Sequence, residues 1–168
     1  MENHWASITG WCNFQNIYLD QVNRVEKGLF LEVGSWQGQS AAYMAEAIKD
    51  SGKDLRLVCV DLWPDEEEIQ VHSDKGAGQS VEKDIIRALP DSLLNTFVKN
   101  MRTAGVEDIV IPIKSDSIKA STIFPDEHFD FIYLDDGHYE DHVYKEMYAW
   151  WPKLKRQSVY AGHDYDSP

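Results

Sequence analysis

Five apolar runs in this sequence end in residues that can hold or move protons and cations. Glu32, Gly34 and Gly38 close the first, Asp61 the second, and Asp116 follows the third. Asp135 and Asp136 close the fourth, and His163 and Asp164 the fifth. Carboxylates accept hydrogen bonds from hydroxyls and ammonium groups and ligate hard cations, and an imidazole takes up a proton near neutral pH. Short polar residues also terminate strands and cap helices. Their recurrence at the end of every apolar run is what points to a site.

The turn Glu32-Val33-Gly34-Ser35-Trp36-Gln37-Gly38 carries glycines where a backbone must approach a ligand closely or fold tightly between a strand and a helix. The G-x-G-x-x-G pattern that cradles a pyrophosphate is not met, because the glycines are spaced Gly34-x-x-x-Gly38. An acid at Glu32 also suits a ligand with an ammonium group and hydroxyls better than a diphosphate.

These residues need elements to position them. LFLEVGS (29–35), LRLVCVDLW (55–63), IVIPI (109–113), FDFIYLD (129–135) and SVYAG (158–162) read as strands. SAAYMAEAIK (40–49), VEKDIIRAL (81–89), a stripe of Leu93, Leu94, Phe97, Val98 and Met101, and the stretch 139–151 with Val143, Met147 and Trp150 inward read as helices. Alternating strands and helices predict an α/β fold, and continuous apolar runs predict parallel strands covered on both faces. The expected architecture is a Rossmann-like doubly wound parallel sheet in the order 3-2-1-4-5. Its ligand site lies at the carboxyl ends of the strands near the switch point between the first and fourth.

Residues 1–27 read as a helical cap segment, with Trp5, Ile8, Trp11, Phe14, Ile17 and Tyr18 at helix-like spacing, and 28–168 as the domain proper. The stretch 63–80, with three consecutive glutamates, is long for a plain connection and reads as a solvated face or a substrate lid.

Composition narrows the partners. A formal charge of −13 argues against nucleic acid and anionic membrane surfaces. No apolar run approaches the roughly 20 residues of a membrane span. Two cysteines, Cys12 and Cys59, make no disulfide framework, and a cytoplasmic protein with reduced thiols is expected.

With these motifs in place, the chain resembles the class I S-adenosylmethionine-dependent methyltransferases, in the small-molecule branch that includes catechol and macrocin O-methyltransferases. The resemblance covers nearly the whole sequence. FLEVGS at 30–35 resembles the first motif, and VDLW at 60–63 the acid that holds ribose hydroxyls. KSDS at 114–117 resembles the adenine-binding turn. YLDD at 133–136 with His138, and AGHDY at 161–165, resemble the ends of the fourth and fifth strands. ITGWCNF at 8–14 looks like the segment that precedes the domain in this branch.

The resemblance implies a small-molecule methyltransferase acting on a hydroxyl oxygen. Glu32, Gly34, Ser35, Trp36, Gly38 and Ser40 would line the methionine end of S-adenosylmethionine. Asp61 would take the ribose, Leu62 or Trp63 would pack on the adenine, and Asp116, Ser117 and Asp135 would complete the cofactor set. His138, with Asp136, would act in catalysis. Asp135, His163 and Asp164 would hold a divalent cation, Mg or Mn, although His163 stands where a carboxylate is usual and suits Mn better.

Two other readings follow from the same residues. One is a non-catalytic cofactor-binding or regulatory module, and the other a metal-using enzyme of different chemistry on the same fold. The last two strands of the family fold are absent from the sequence, which leaves the fifth strand as an edge that a homodimer or further chain would cover.

Overall fold

A computed structural model describes residues 3–64, 79–136 and 140–163. The chain runs α1 (Gln15–Arg24), β1 (Lys27–Val33), α2 (Gln39–Ser51), β2 (Asp54–Asp61), α3 (Gln79–Ala88) and α4 (Leu93–Thr103). It continues through β3 (Val110–Lys114), α5 (Ser117–Ser121), β4 (Phe129–Leu134), α6 (Glu140–Trp150) and β5 (Leu154–Gly162). All strand pairs are parallel, and the five-stranded sheet has the order β3-β2-β1-β4-β5 expected from the sequence.

Each face of the sheet buries its own core, because alternate side chains of a strand point to opposite faces. Phe30, Leu55, Leu57, Cys59, Phe131 and Tyr133 pack with α1, α2 and α4. Leu31, Val33, Val58, Val60, Ile132 and Leu134 pack on the other face around Ala120 and Trp150. The central strands are buried on both sides, which is why they read as unbroken apolar runs.

Four local expectations are corrected. Residues 3–27 are not one helix: a 3-10 turn spans His4–Ser7, residues 8–14 are irregular, and the helix begins only at Gln15. The irregular stretch is held by tertiary contact, since Gln39 Nε2 donates to the Ile8 carbonyl at 2.7 Å. Ile8, Phe14 and Tyr18 are buried, whereas Trp11 points outward.

β5 starts at Leu154 rather than 158. A bulge pairs Phe129 with Leu154 but Phe131 with Val159, and Gln157 within it takes φ 65°. The short helix α5 was not anticipated; Asp116 caps it by accepting from the Lys119 amide at 2.8 Å.

In α6 the expected inward Met147 is 40% exposed, and Glu146 is fully buried in its place. Positions 143, 146 and 150 fit a helical stripe as well as 143, 147 and 150 do, so hydrophobicity selected the wrong neighbour.

Candidate active site at the carboxyl ends of the strands

Backbone hydrogen bonds gather the strand ends. The Gly34 amide donates to the Val60 carbonyl at 2.9 Å and the Asp135 amide to Val33 at 2.8 Å. The Ser115 amide donates to Asp61 at 3.0 Å and the His163 amide to Leu134 at 3.1 Å. Gly34, at φ 84°, leaves no room for a side chain, because a Cβ there would lie 2.0 Å from the Asp135 carbonyl oxygen. Gly38, at φ 90°, meets Met101 and Phe97 in the same way and opens α2. Both glycines are thus required by the protein's own packing at the turn.

Asp61 ties the turn after β1 to the turn after β2. Its Oδ2 accepts from the Trp36 amide at 2.7 Å and its Oδ1 from the Trp63 amide at 2.6 Å. Both tryptophans adopt left-handed backbone, φ 49° and φ 37°, a conformation that costs a side-chain-bearing residue about 1–2 kcal/mol. Two charge-assisted bonds to one carboxylate offset that strain. Burial, and then the charge of Asp136, push the Asp61 carboxyl up to about 7, against the pull of the Trp63, Trp36 and Ser35 amides.

The Trp63 ring is 1% exposed and packs on Phe97 with centroids 4.7 Å apart, while its Nε1 donates to the Trp36 carbonyl at 2.7 Å. Leu62, by contrast, is half-buried. The Trp36 indole nitrogen is buried with no hydrogen-bond partner among the described residues, a donor left over at the turn.

Glu32 lies beneath this floor with no exposure. The Tyr18 hydroxyl donates to its Oε2 at 2.7 Å and the Ser40 hydroxyl to its Oε1 at 3.1 Å. Burial pushes its carboxyl up to about 7, and these hydroxyls hold it from rising further. Ser40 is therefore committed to Glu32, and α1 is anchored to β1 through Tyr18.

Asp135 and Asp136 leave β4 on opposite sides. Asp135 Oδ1 lies 3.7 Å from His163 Nδ1, and His163 Nε2 is 3.1 Å from Asn13 Oδ1. Phe14 packs beside the same imidazole at 5.4 Å, so the N-terminal segment helps to place it. Asn13 was not among the expected site residues, and no spacing rule links it to a position 150 residues away. On the other side, burial and the adjacent Glu146 push the Asp136 carboxyl up to about 7, with His142 opposing and Asp116 adding to the rise. Ser117 accepts from the Trp150 indole at 2.9 Å, which fixes α6 against α5.

Of the expected cofactor set, Glu32, Gly34, Ser35, Trp36, Gly38, Ser40, Asp61, Leu62, Trp63, Asp116, Ser117 and Asp135 all fall on this end of the sheet or directly under it. His138 and Asp164 lie outside the described residues, as does most of the acidic stretch 63–80. Among the described residues, no helix is long and apolar enough to cross a membrane.

Comparison with known proteins agrees with this fold. No curated protein matches the sequence. Among solved structures, the fold is similar to TomG of Streptomyces achromogenes, an O-methyltransferase involved in tomaymycin synthesis and solved with S-adenosylmethionine. The two share 19% identity and a TM-score of 0.57 over 87% of this chain and 52% of that one. A S-adenosylmethionine-dependent O-methyltransferase from Thermotoga maritima is similar at 14% identity and TM-score 0.57, over 92% of this chain and 44% of that one. Precorrin 8w decarboxylase from Methanobacterium thermoautotrophicum is similar at 15% identity and TM-score 0.57, over 92% and 64%.

The chain spans 44–64% of the length of these three proteins. At such identities the likeness is one of fold, and the decarboxylase shows that this fold is not tied to one reaction. The methyltransferase domain family matches residues 31–165, which takes in every strand of the sheet but the first residues of β1. The chain belongs to the methyltransferase domain family.

Proposed function

We propose that the chain binds S-adenosylmethionine across the ends of β1, β2 and β4 and transfers its methyl group to a small-molecule acceptor at a hydroxyl oxygen. The observation that carries this reading is the Asp61 clamp. One carboxylate ties together the turns after β1 and β2 beside the switch point, and a buried Trp36 indole N–H at the same turn has no partner among the described residues. An acceptor and a spare donor at a strand-end crevice fit a ligand rich in hydroxyls and amines.

In this reading Asp61 receives the ribose hydroxyls on its remaining lone pairs. Leu62 packs on the adenine, since Trp63 is spent in the core. Asp116 accepts from the adenine amino group, and Ser117 holds the turn through Trp150. Glu32 and Ser40 act from beneath, shaping the methionine end rather than touching it. The cofactor, when bound, supplies an electrophilic methyl group: its carbon–sulfur bond breaks as the carbon–oxygen bond forms, and the acceptor's hydroxyl proton must leave. His138 takes that proton, and positioning supplies the rest of the rate.

A divalent cation, Mg or Mn, belongs to the same proposal, with Asp135 and His163 as two ligands and Asp164 as the third. The 3.7 Å approach of Asp135 to His163 supports it. A cytoplasmic setting is supported by two buried, unpaired cysteines.

Calorimetry with S-adenosylhomocysteine tests the binding, and transfer of an isotope-labelled methyl group to a panel of small hydroxyl compounds tests the reaction. Binding with no transfer to any acceptor turns the reading into that of a non-catalytic cofactor-binding module. Absence of binding overturns it altogether.

A further inference from the structure

We propose a divalent metal site formed by Asp136, His142 and Glu146, on the opposite face of the sheet from Asp135 and His163. One ligand atom from each of the three residues lies within 4.8 Å of the other two. His142 Nε2 is 3.4 Å from Glu146 Oε1. Two ligands each about 2.1 Å from an ion stand about 3.0 Å apart along an octahedral edge and about 3.4 Å along a tetrahedral one, so this pair is already at ligand spacing.

The scaffold suits a metal. His142 and Glu146 are one turn apart on α6, on the same side of the helix, and Asp136 is the second residue past β4. Trp150, further along that helix, is pinned by its hydrogen bond to Ser117, which fixes the helix against α5. His142 is 37% exposed while Glu146 is fully buried, so an ion can enter from solvent and reach an inner ligand.

Charge argues the same way. Asp136 and Glu146 are close enough to share a hydrogen bond, and the charges of Asp61 and Asp116 also reach Asp136. Carboxylates crowded in a low-dielectric setting need either a shared proton or a cation. An independent feature sits on β5: the Tyr160 hydroxyl oxygen is buried with no hydrogen-bond partner among the described residues, and burial, then the Glu146 charge, pushes its ionisation up. Two carboxylates and an imidazole favour a borderline ion such as Zn²⁺ over Mg²⁺.

The test is titration of the tag-free full chain with Zn²⁺ by calorimetry, with zinc counted by elemental analysis after desalting. His142→Ala, which changes a half-exposed side chain, should lose one equivalent of zinc or bind it well over 100-fold more weakly, beyond the about 10- to 100-fold that an outer hydrogen-bond partner costs. Glu146→Gln should do the same, while His163→Ala should retain that equivalent. Wild-type zinc stoichiometry and affinity in a folded His142→Ala chain would overturn the proposal, as would loss of the equivalent in His163→Ala alone, or no stoichiometric zinc in the unmodified protein.

Discussion

Asp135 and Asp136 are consecutive, yet they serve opposite faces of the sheet. Asp135 lies 3.7 Å from His163 on the side that α1 covers, and Asp136 joins His142 and Glu146 on the side that α6 covers. The alternation of a strand continues for two residues past the end of β4 and gives one tip two chemically different environments.

Asp61 should matter twice. Asp61→Ala removes the acceptor proposed for the ribose and also frees the Trp36 and Trp63 amides. Loss of a charge-assisted contact pair should weaken S-adenosylhomocysteine binding by about 1.5–3 kcal/mol, or about 10- to 150-fold. Calorimetry reads the affinity, and a thermal melt of the unliganded chain reads the loss of the clamp. Unchanged affinity in a folded variant would count against the ribose assignment.

Trp63 and Leu62 should separate stability from binding. Trp63→Ala empties a buried position against Phe97 and should cost about 3–5 kcal/mol in denaturant unfolding. Leu62→Ala should cost far less stability and should instead weaken S-adenosylhomocysteine. The reverse pattern would show that Trp63 leaves the core to pack on the ligand.

Gly34→Ala should be severe. The added Cβ meets the Asp135 carbonyl, and φ 84° is itself unfavourable for alanine. The expected loss is at least about 2 kcal/mol in unfolding experiments, together with displacement of the β4 tip. A variant as stable as the parent would mean that the turn relaxes freely.

Glu32, Asp61 and Asp136 should make the unliganded fold less stable as pH rises. Each carboxyl sits at about 7 in the folded chain, above its ordinary value near 4, and burial is the main cause in all three. Between about pH 4 and 7 the folded chain therefore binds more protons than the unfolded chain, so stability falls with rising pH across that window. Tm should be lower at pH 8 than at pH 5, and Glu32→Gln should flatten the slope. Tyr18→Phe removes a donor to ionised Glu32, so its penalty should be larger at pH 8 than at pH 5. A penalty independent of pH would mean that Glu32 stays protonated throughout.

The parallel sheet and the strand-end placement of the candidate residues were legible in the sequence because both follow from local pattern. Strands buried on two faces must be continuous apolar runs, and a parallel α/β sheet must carry its polar residues at the carboxyl ends. Glu32, Asp61, Asp116 and Asp135 could therefore be placed from their positions along the chain. Tertiary structure decided which partners those groups have. Nothing local shows that Asp61 spends a hydrogen bond on each of two tryptophan amides, or that Trp63 turns inward onto Phe97. Nor does it show that Asn13 reaches His163. The choice of Glu146 over Met147 as the buried residue of α6 was likewise invisible, because helical spacing admits both and hydrophobicity favours the wrong one. The approach of Asp136 across the gap between strand and helix, with His142 one turn away, contributes a polar setting for that buried carboxylate.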